Sequence, residues 1–206
     1  RRPFTLLCQG LTSPECMQYF IVAEFMILYL IVPVVIPMTI ASYSIVGEKT
    51  TQTLEPLLAA PITTLELLAG KALAAALPGV WATWGGFLIF NLGVRFLGIS
   101  PAVVQKSFSP LWIVAIFVVG PLLALAGVSL AVMISSRVND PRAAEQISGF
   151  FVLPIIILML GQTSGLLLID EAFVLWMAAA LVILDGVLFF FASRLFERET
   201  ILTRWK

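Results

Sequence analysis

The sequence predicts an all-α integral membrane protein, a polytopic bundle of about five transmembrane helices. Three observations carry this. Hydrophobic residues make up 60% of the 206-residue chain and charged residues only 12%, about half the charged share of an ordinary soluble domain. The mean hydropathy is +1.05. The apolar residues also gather in runs of about 20 residues or more, long enough for a helix to cross the hydrocarbon core.

The chain reads as one transmembrane domain over residues 1–206, taken here in order. Residues 1–18 form an outer segment. Residue 1 is Arg rather than Met, and no signal-peptide pattern follows. The chain therefore reads as one whose own start lies upstream. Cys8 and Cys16 are its two cysteines. They form a disulfide if this segment faces an oxidising side, or remain two thiols. The first span covers about 19–46 and the second about 67–97. Both exceed the hydrocarbon thickness, which calls for tilt, kinks or projecting ends. The remaining spans cover about 111–134, 147–169 and 173–192, and residues 193–206 form a tail. Pro33, Pro37, Pro78, Pro121 and Pro154 lie within four of these runs. Each frees a carbonyl and bends its helix, so neighbouring helices must cover the freed groups. The pair Gly161 and Gly165 has the spacing that lets helices approach closely.

Basic residues give the orientation. With the C-terminus inside, the inner segments hold Lys49, Lys71, Arg137, Arg142, Arg194, Arg198, Arg204 and Lys206. The outer segments hold only Arg1, Arg2, Arg95 and Lys106. Five crossings then place the N-terminal segment outside.

The most informative stretch is the first inner loop, Gly47 to Pro61. Thr53 can cap a short helix, Pro56 falls in its first turn, and Pro61 ends it. Leu54, Leu57 and Leu58 make an apolar stripe on that helix. The stripe suits an interfacial helix resting on lipid headgroups, a satellite packed under the bundle, or a knob offered to a soluble partner. Thr63-Thr64-Leu65-Glu66 follows as a capping box that opens the second span, with Ile62 and Leu67 placed as its hydrophobic staple.

Whole classes of chemistry are disfavoured. There is no histidine, hence no usual general base, zinc ligand or pH switch. The cysteines are too few for a metal cage. The net charge is zero, which argues against nucleic acid. Gln162-Thr163-Ser164-Gly165 has a serine nucleophile but no base to activate it. Two acids stand within apolar runs, Glu24 near the outer end of the first span and Asp185 in the inner half of the last. An intramembrane acid marks function by default. Glu24 can also simply reach the outer headgroups, and Asp185 can pair or hydrogen-bond structurally. Asn91 and Arg95 share a face near the outer end of the second span, within reach of a pairing with Glu24.

Three segments resemble one known family. The run GEKTTQTLEPLLAAPITTLELLAGK, Gly47 to Lys71, resembles the first cytoplasmic loop of type-2 ABC exporter permeases, in the branch of sodium-efflux and multidrug permeases. SSRVNDPRAAEQISGF, Ser135 to Phe150, resembles the second cytoplasmic loop, and LFERETILTRWK, Leu195 to Lys206, the tail. The family usually has six spans, so the resemblance implies that the first is missing here. It further implies a multi-pass plasma-membrane permease that dimerises with a second copy or a homologue and couples to a separate ABC ATPase. The coupling helix would be Thr53 to Ala60, with Glu48, Lys49 and Glu55 as polar contacts. Arg137, Asp140, Arg142 and Glu145 would serve the second loop. Glu24, Asn91 and Asp185 are the candidates for the translocation route. ATP and Mg are expected on the partner chain and no cofactor on this one. Gly70-Lys71 is followed by Ala72, and Leu65 stands where a phosphate loop needs glycine. The competing reading is a non-transporting scaffold derived from such a permease.

Overall fold

The computed structural model describes residues 8, 10–51, 63–138, 140–167 and 169–195. These residues form helices and connecting turns, with no strand among them. Five helical runs are long and apolar enough to cross a membrane: Ser13–Glu48, Glu66–Phe96, Pro110–Ser135, Arg142–Thr163 and Glu171–Arg194. The protein is an all-α polytopic membrane bundle. One end, called the disulfide end below, carries Cys8–Cys16 and the connections near residues 97–110 and 164–170. The opposite end carries Thr51, Thr63 and residues 136–138 and 140.

Prolines decide where the spans break. The first span is two helices, α1 (Ser13–Tyr29) and α2 (Val32–Thr50). Pro33 has no N–H for the Tyr29 carbonyl and its ring crowds that group. The amides of Leu30 and Ile31 instead reach three residues back, to Ile27 and Leu28 at 3.1 and 3.0 Å. The second span is α3 (Thr64–Phe96), continuous through Pro78. A short helix α4 (Pro101–Ser107) fills the connection to the third span. That span runs as α5 (Pro110–Val114), a π-helical turn (Ala115–Val119) and α6 (Gly120–Ser135). Pro121 cannot bond the Phe117 carbonyl, so the ladder slips by one residue there. The fourth span opens with α7 (Pro141–Gly149), tightens to a 3-10 turn (Phe150–Val152) just before Pro154, and continues as α8 (Leu153–Thr163). Pro37 and Pro78 both lie inside uninterrupted helix, and the ring of Pro37 rests beside Gly79.

The fourth helix stops short of the expected residue 169. Gly165 takes φ 72°, a left-handed conformation that glycine adopts without penalty. The amides of Leu166 and Leu167 then both return to the Gly161 carbonyl, at 2.9 and 3.0 Å. The Gly161–Gly165 pair thus terminates a helix rather than admitting a neighbouring one. The last span is α9 (Glu171–Leu195); the Asp170 carboxylate accepts from the Phe173 amide at 2.8 Å and caps its start.

Helices α2 and α6 form the centre, packed on each other, with α3 against both and α9 along α6. Lipid gives helices no hydrophobic reason to associate, so close approach of small side chains supplies the cohesion. Ala124, Ala126, Ala131 and Ser129 of α6 are buried for this reason, as are Ala72, Ala75 and Ala76 of α3. Gly86 admits the ring of Tyr29, which occupies the place of any β-carbon. The Tyr29 hydroxyl donates to the Ala82 carbonyl at 2.8 Å. The outward faces remain apolar: Trp81, Ile89, Phe96, Trp176 and Ile183 are each well over half exposed, as a lipid-facing belt requires.

The disulfide end is tied by polar contacts. Cys8 and Cys16 are bridged, with Cα atoms 5.1 Å apart; this resolves the two possibilities left by the sequence in favour of the bridge. The Ser100 hydroxyl donates to Glu15, and the indole of Trp112 donates to the Tyr19 hydroxyl at 3.3 Å. Lys106 stands 4.8 Å over the Tyr19 ring. Partial burial pushes its ammonium below the usual lysine value.

Candidate functional site

The end opposite the disulfide gathers most of the sequence-predicted site residues that the structure describes. Helix α2 runs on past Gly47 and carries Glu48. The Thr51 hydroxyl turns back to the Gly47 carbonyl at 2.8 Å and closes the last turn. Across the intervening loop, Thr63 opens α3 with the expected capping box. Its amide and hydroxyl both donate to the Glu66 carboxylate at 2.8 Å, and the Glu66 amide donates to the Thr63 hydroxyl at 3.2 Å. Thr53, Leu54, Glu55, Pro56, Leu57, Leu58 and Pro61 lie outside the described residues, as do Ile62 of the expected staple and the side chain of Lys49.

The two helices that flank this loop are joined directly. Lys71, two turns into α3, forms an ion pair with Glu48 near the end of α2. The lysine side chain is 19% exposed and the glutamate 28%, so the pair is shielded from water on most sides. The sequence read Lys71 as a marker of orientation and as part of a failed phosphate loop, without a charge partner; that partner sits 23 residues earlier, beyond any helical spacing.

The second loop is built on α7. Asp140 caps it by accepting from the Arg142 amide at 3.0 Å, and Pro141 occupies the first turn, where a missing N–H costs nothing. One face carries the buried Ala144 and Ser148, and α7 packs on both α2 and α6. Glu145 accepts from the Thr39 hydroxyl of α2 at 3.0 Å. Arg137 and Arg142 are exposed. Glu48 and Glu145 are thus both fixed to neighbouring helices, while the two arginines face outward. Thr39 is a residue that sequence reading missed. A hydroxyl within an apolar run gives no signal of its partner about a hundred residues away.

No hydrogen bond joins the intramembrane candidates Glu24, Asn91 and Asp185 to one another among the described residues. Asn91 of α3 is buried; it donates to the Phe87 carbonyl at 2.9 Å and accepts from the Ser107 hydroxyl of α4. Its carboxamide fastens the connecting helix and is not paired with Glu24. The carboxylate oxygens of Asp185 are shielded from solvent and have no hydrogen-bond partner among the described residues, and those of Glu24 are likewise shielded, with the Thr163 side chain beside them. Gln162, which the sequence treated only as part of a failed nucleophile motif, is buried on α8 with its Nε2 unpartnered.

Among the described residues no three His, Cys, Asp or Glu side chains group as metal ligands. Comparison with curated proteins and with solved structures gives no match. The family model of the ABC-2 family transporter proteins matches residues 6–175, most of the chain and both loops described above. The chain belongs to the ABC-2 transporter family and is a multi-pass membrane permease of the ABC transporter class.

Proposed function

We propose that this permease is the membrane half of an exporter in the plasma membrane. It works as a dimer and is driven by a separate ABC ATPase that docks at the end opposite the disulfide. The observation that carries the reading is the Glu48–Lys71 pair. It clamps the two helices on either side of the first loop, so a push on the loop reaches α2 and α3 together. Thr39 and Glu145 tie the second loop to α2 in the same way. On this reading Thr53 to Ala60 is the coupling helix, with Leu57 and Leu58 as its apolar contact. Each buried leucine contributes about 1.5–3 kcal/mol, too little to hold so short a helix firmly in lipid and enough to seat it in a groove of a partner. The disulfide end then faces outside, where the bridge is stable.

Copurification tests this. The native chain is expected to bring down an ABC ATPase, with ATP and Mg bound on that partner. Leu57→Asp combined with Leu58→Asp is expected to lose the ATPase while the bundle stays folded. A doubly substituted chain that still recovers its ATPase places the contact elsewhere. A native chain that never associates with an ATPase supports the non-transporting scaffold instead.

A further inference from the structure

A cavity of about 670 Å³ lies within the single chain, between the first, third, fourth and fifth spans. Every residue that lines it is apolar apart from the indoles of Trp112 and Trp176, and the Trp112 N–H is already given to Tyr19. Its floor belongs to the core: Ile27, Trp112, Ala115, Ile155 and Val174 line it and are buried. Its open side lies between the last two spans. Pro154 and Ile157 of α8 line the cavity and are exposed, as are Trp176, Ala180 and Leu184 along one edge of α9. The cavity also has a definite depth. On α9 it is lined from Phe173 to Leu184, about 17 Å of helix, close to half of the roughly 30 Å hydrocarbon core. On the other spans the lining residues lie from about the middle of the span to the disulfide end. They are Ile27 and Leu30 within Ser13–Glu48, Leu111 to Leu123 within Pro110–Ser135, and Phe151 to Leu158 within Arg142–Thr163. The cavity thus has the depth of one leaflet, in the half of the membrane at the disulfide end.

The chemistry of the walls decides what fills such a space. Water needs several polar partners to stay in a cavity, and these walls supply none. A polar or charged ligand would strand its polar groups there. Left empty, the cavity forfeits the dispersion contacts of every wall. Hydrocarbon meets no such penalty, and the open side faces it. We infer that the cavity seats a hydrocarbon tail of a bilayer lipid from the leaflet at the disulfide end, admitted between α8 and α9. The head group stays in the interface of that leaflet and touches no residue of the cavity. The site therefore reads the tail and not the head: it takes a flexible chain of one leaflet's length and has no group that tells one head group from another. This goes beyond the permease reading and does not depend on it, since the tail is held without ATP or a partner.

The test uses the full chain in lipid discs with no ATPase or nucleotide, so its failure is distinct from failure of the coupling reading. The chain keeps Trp112 as its one indole, through Trp81→Phe, Trp84→Phe, Trp176→Phe and Trp205→Phe. The probe is phosphatidylcholine with bromine in the lower half of its tails, which quenches an indole that it touches. These tails are expected to at least halve the Trp112 emission, although Trp112 is only 3% exposed. Ala180→Phe, which narrows the open side, is expected to restore most of the lost emission. Phosphatidylglycerol and phosphatidylethanolamine with the same brominated tails are expected to quench equally, and a brominated sterol less. Unquenched Trp112 overturns the proposal, because the cavity then holds no lipid tail. Quenching that Ala180→Phe leaves unchanged comes from lipid outside the cavity and overturns it as well. So does quenching that follows the head group, or that the sterol equals. If the chain with four Phe substitutions does not fold, the native chain compared with Trp112→Phe gives the same readout by difference. If Ala180→Phe does not fold, the head-group and sterol comparisons decide.

Discussion

Reversing Lys71 is the perturbation that separates docking of the ATPase from transmission of its work. Lys71 and Glu48 are 19% and 28% exposed, between the exposed pairs worth about 0.2–1 kcal/mol and hydrogen bonds to charged groups worth about 1.5–3 kcal/mol. Lys71→Ala is therefore expected to cost about 1–2 kcal/mol. Lys71→Glu adds repulsion from Glu48, up to about 4 kcal/mol at 4 Å in a near-surface environment, and less once the side chains swing apart. The swap of Glu48→Lys with Lys71→Glu restores an attractive pair and is expected to recover most of the loss. Denaturant unfolding of the purified chain gives the four stabilities, and their double-mutant cycle isolates the pair. In parallel, Lys71→Glu should still retain the ATPase but lose stimulation of ATP hydrolysis, because the loop no longer grips both helices. Stabilities of the two single variants that simply add in the double variant would refute the clamp. So would a swap as impaired in stimulation as Lys71→Glu.

Three further outcomes are expected. A cysteine introduced at Ser109 should label from outside and one at Thr203 from inside; labelling of both from one side contradicts the topology. Asp185→Asn should change transport while leaving dimer assembly intact, since the carboxylate has no partner among the described residues that would make it a structural brace; loss of assembly assigns Asp185 to packing. Gly86→Val should destabilise the bundle by about 1–3 kcal/mol through overpacking, because the Tyr29 ring occupies the place of the new side chain. Tyr29→Ala in the same chain should recover part of that loss in an unfolding measurement, and no recovery would place the strain elsewhere.

Local signals in the sequence carried the architecture. Apolar run length marked five spans, and Thr63 with Glu66 marked the start of α3, because both depend on neighbours within a few residues. Proline positions marked three of the breaks. They did not separate Pro33, Pro121 and Pro154 from Pro37 and Pro78, which sit in continuous helix. A lost hydrogen bond breaks a helix or is absorbed within it according to packing, and packing is a tertiary property. The Gly161–Gly165 spacing was ambiguous for the same reason: only the backbone conformation tells a terminating glycine from an interfacial one. The pairs Glu48–Lys71, Thr39–Glu145 and Asn91–Ser107 join different helices and leave no periodic trace. Glu24 was visible as an acid in an apolar run. Its neighbourhood with Thr163 needed the fold, because 139 positions of chain separate them.

Site-specific cross-linking tests the central claim most directly. Cys8 and Cys16 are bridged, so a cysteine introduced at Leu57 is the one free thiol for a photoactivatable cross-linker, and a cysteine at Gln105 serves as the control at the disulfide end. The account predicts that position 57 captures an ABC ATPase, with a yield that changes between nucleotide-free and ATP-bound conditions, and that position 105 captures none. Capture from position 105, or none from position 57 in a chain that copurifies with its ATPase, would contradict it.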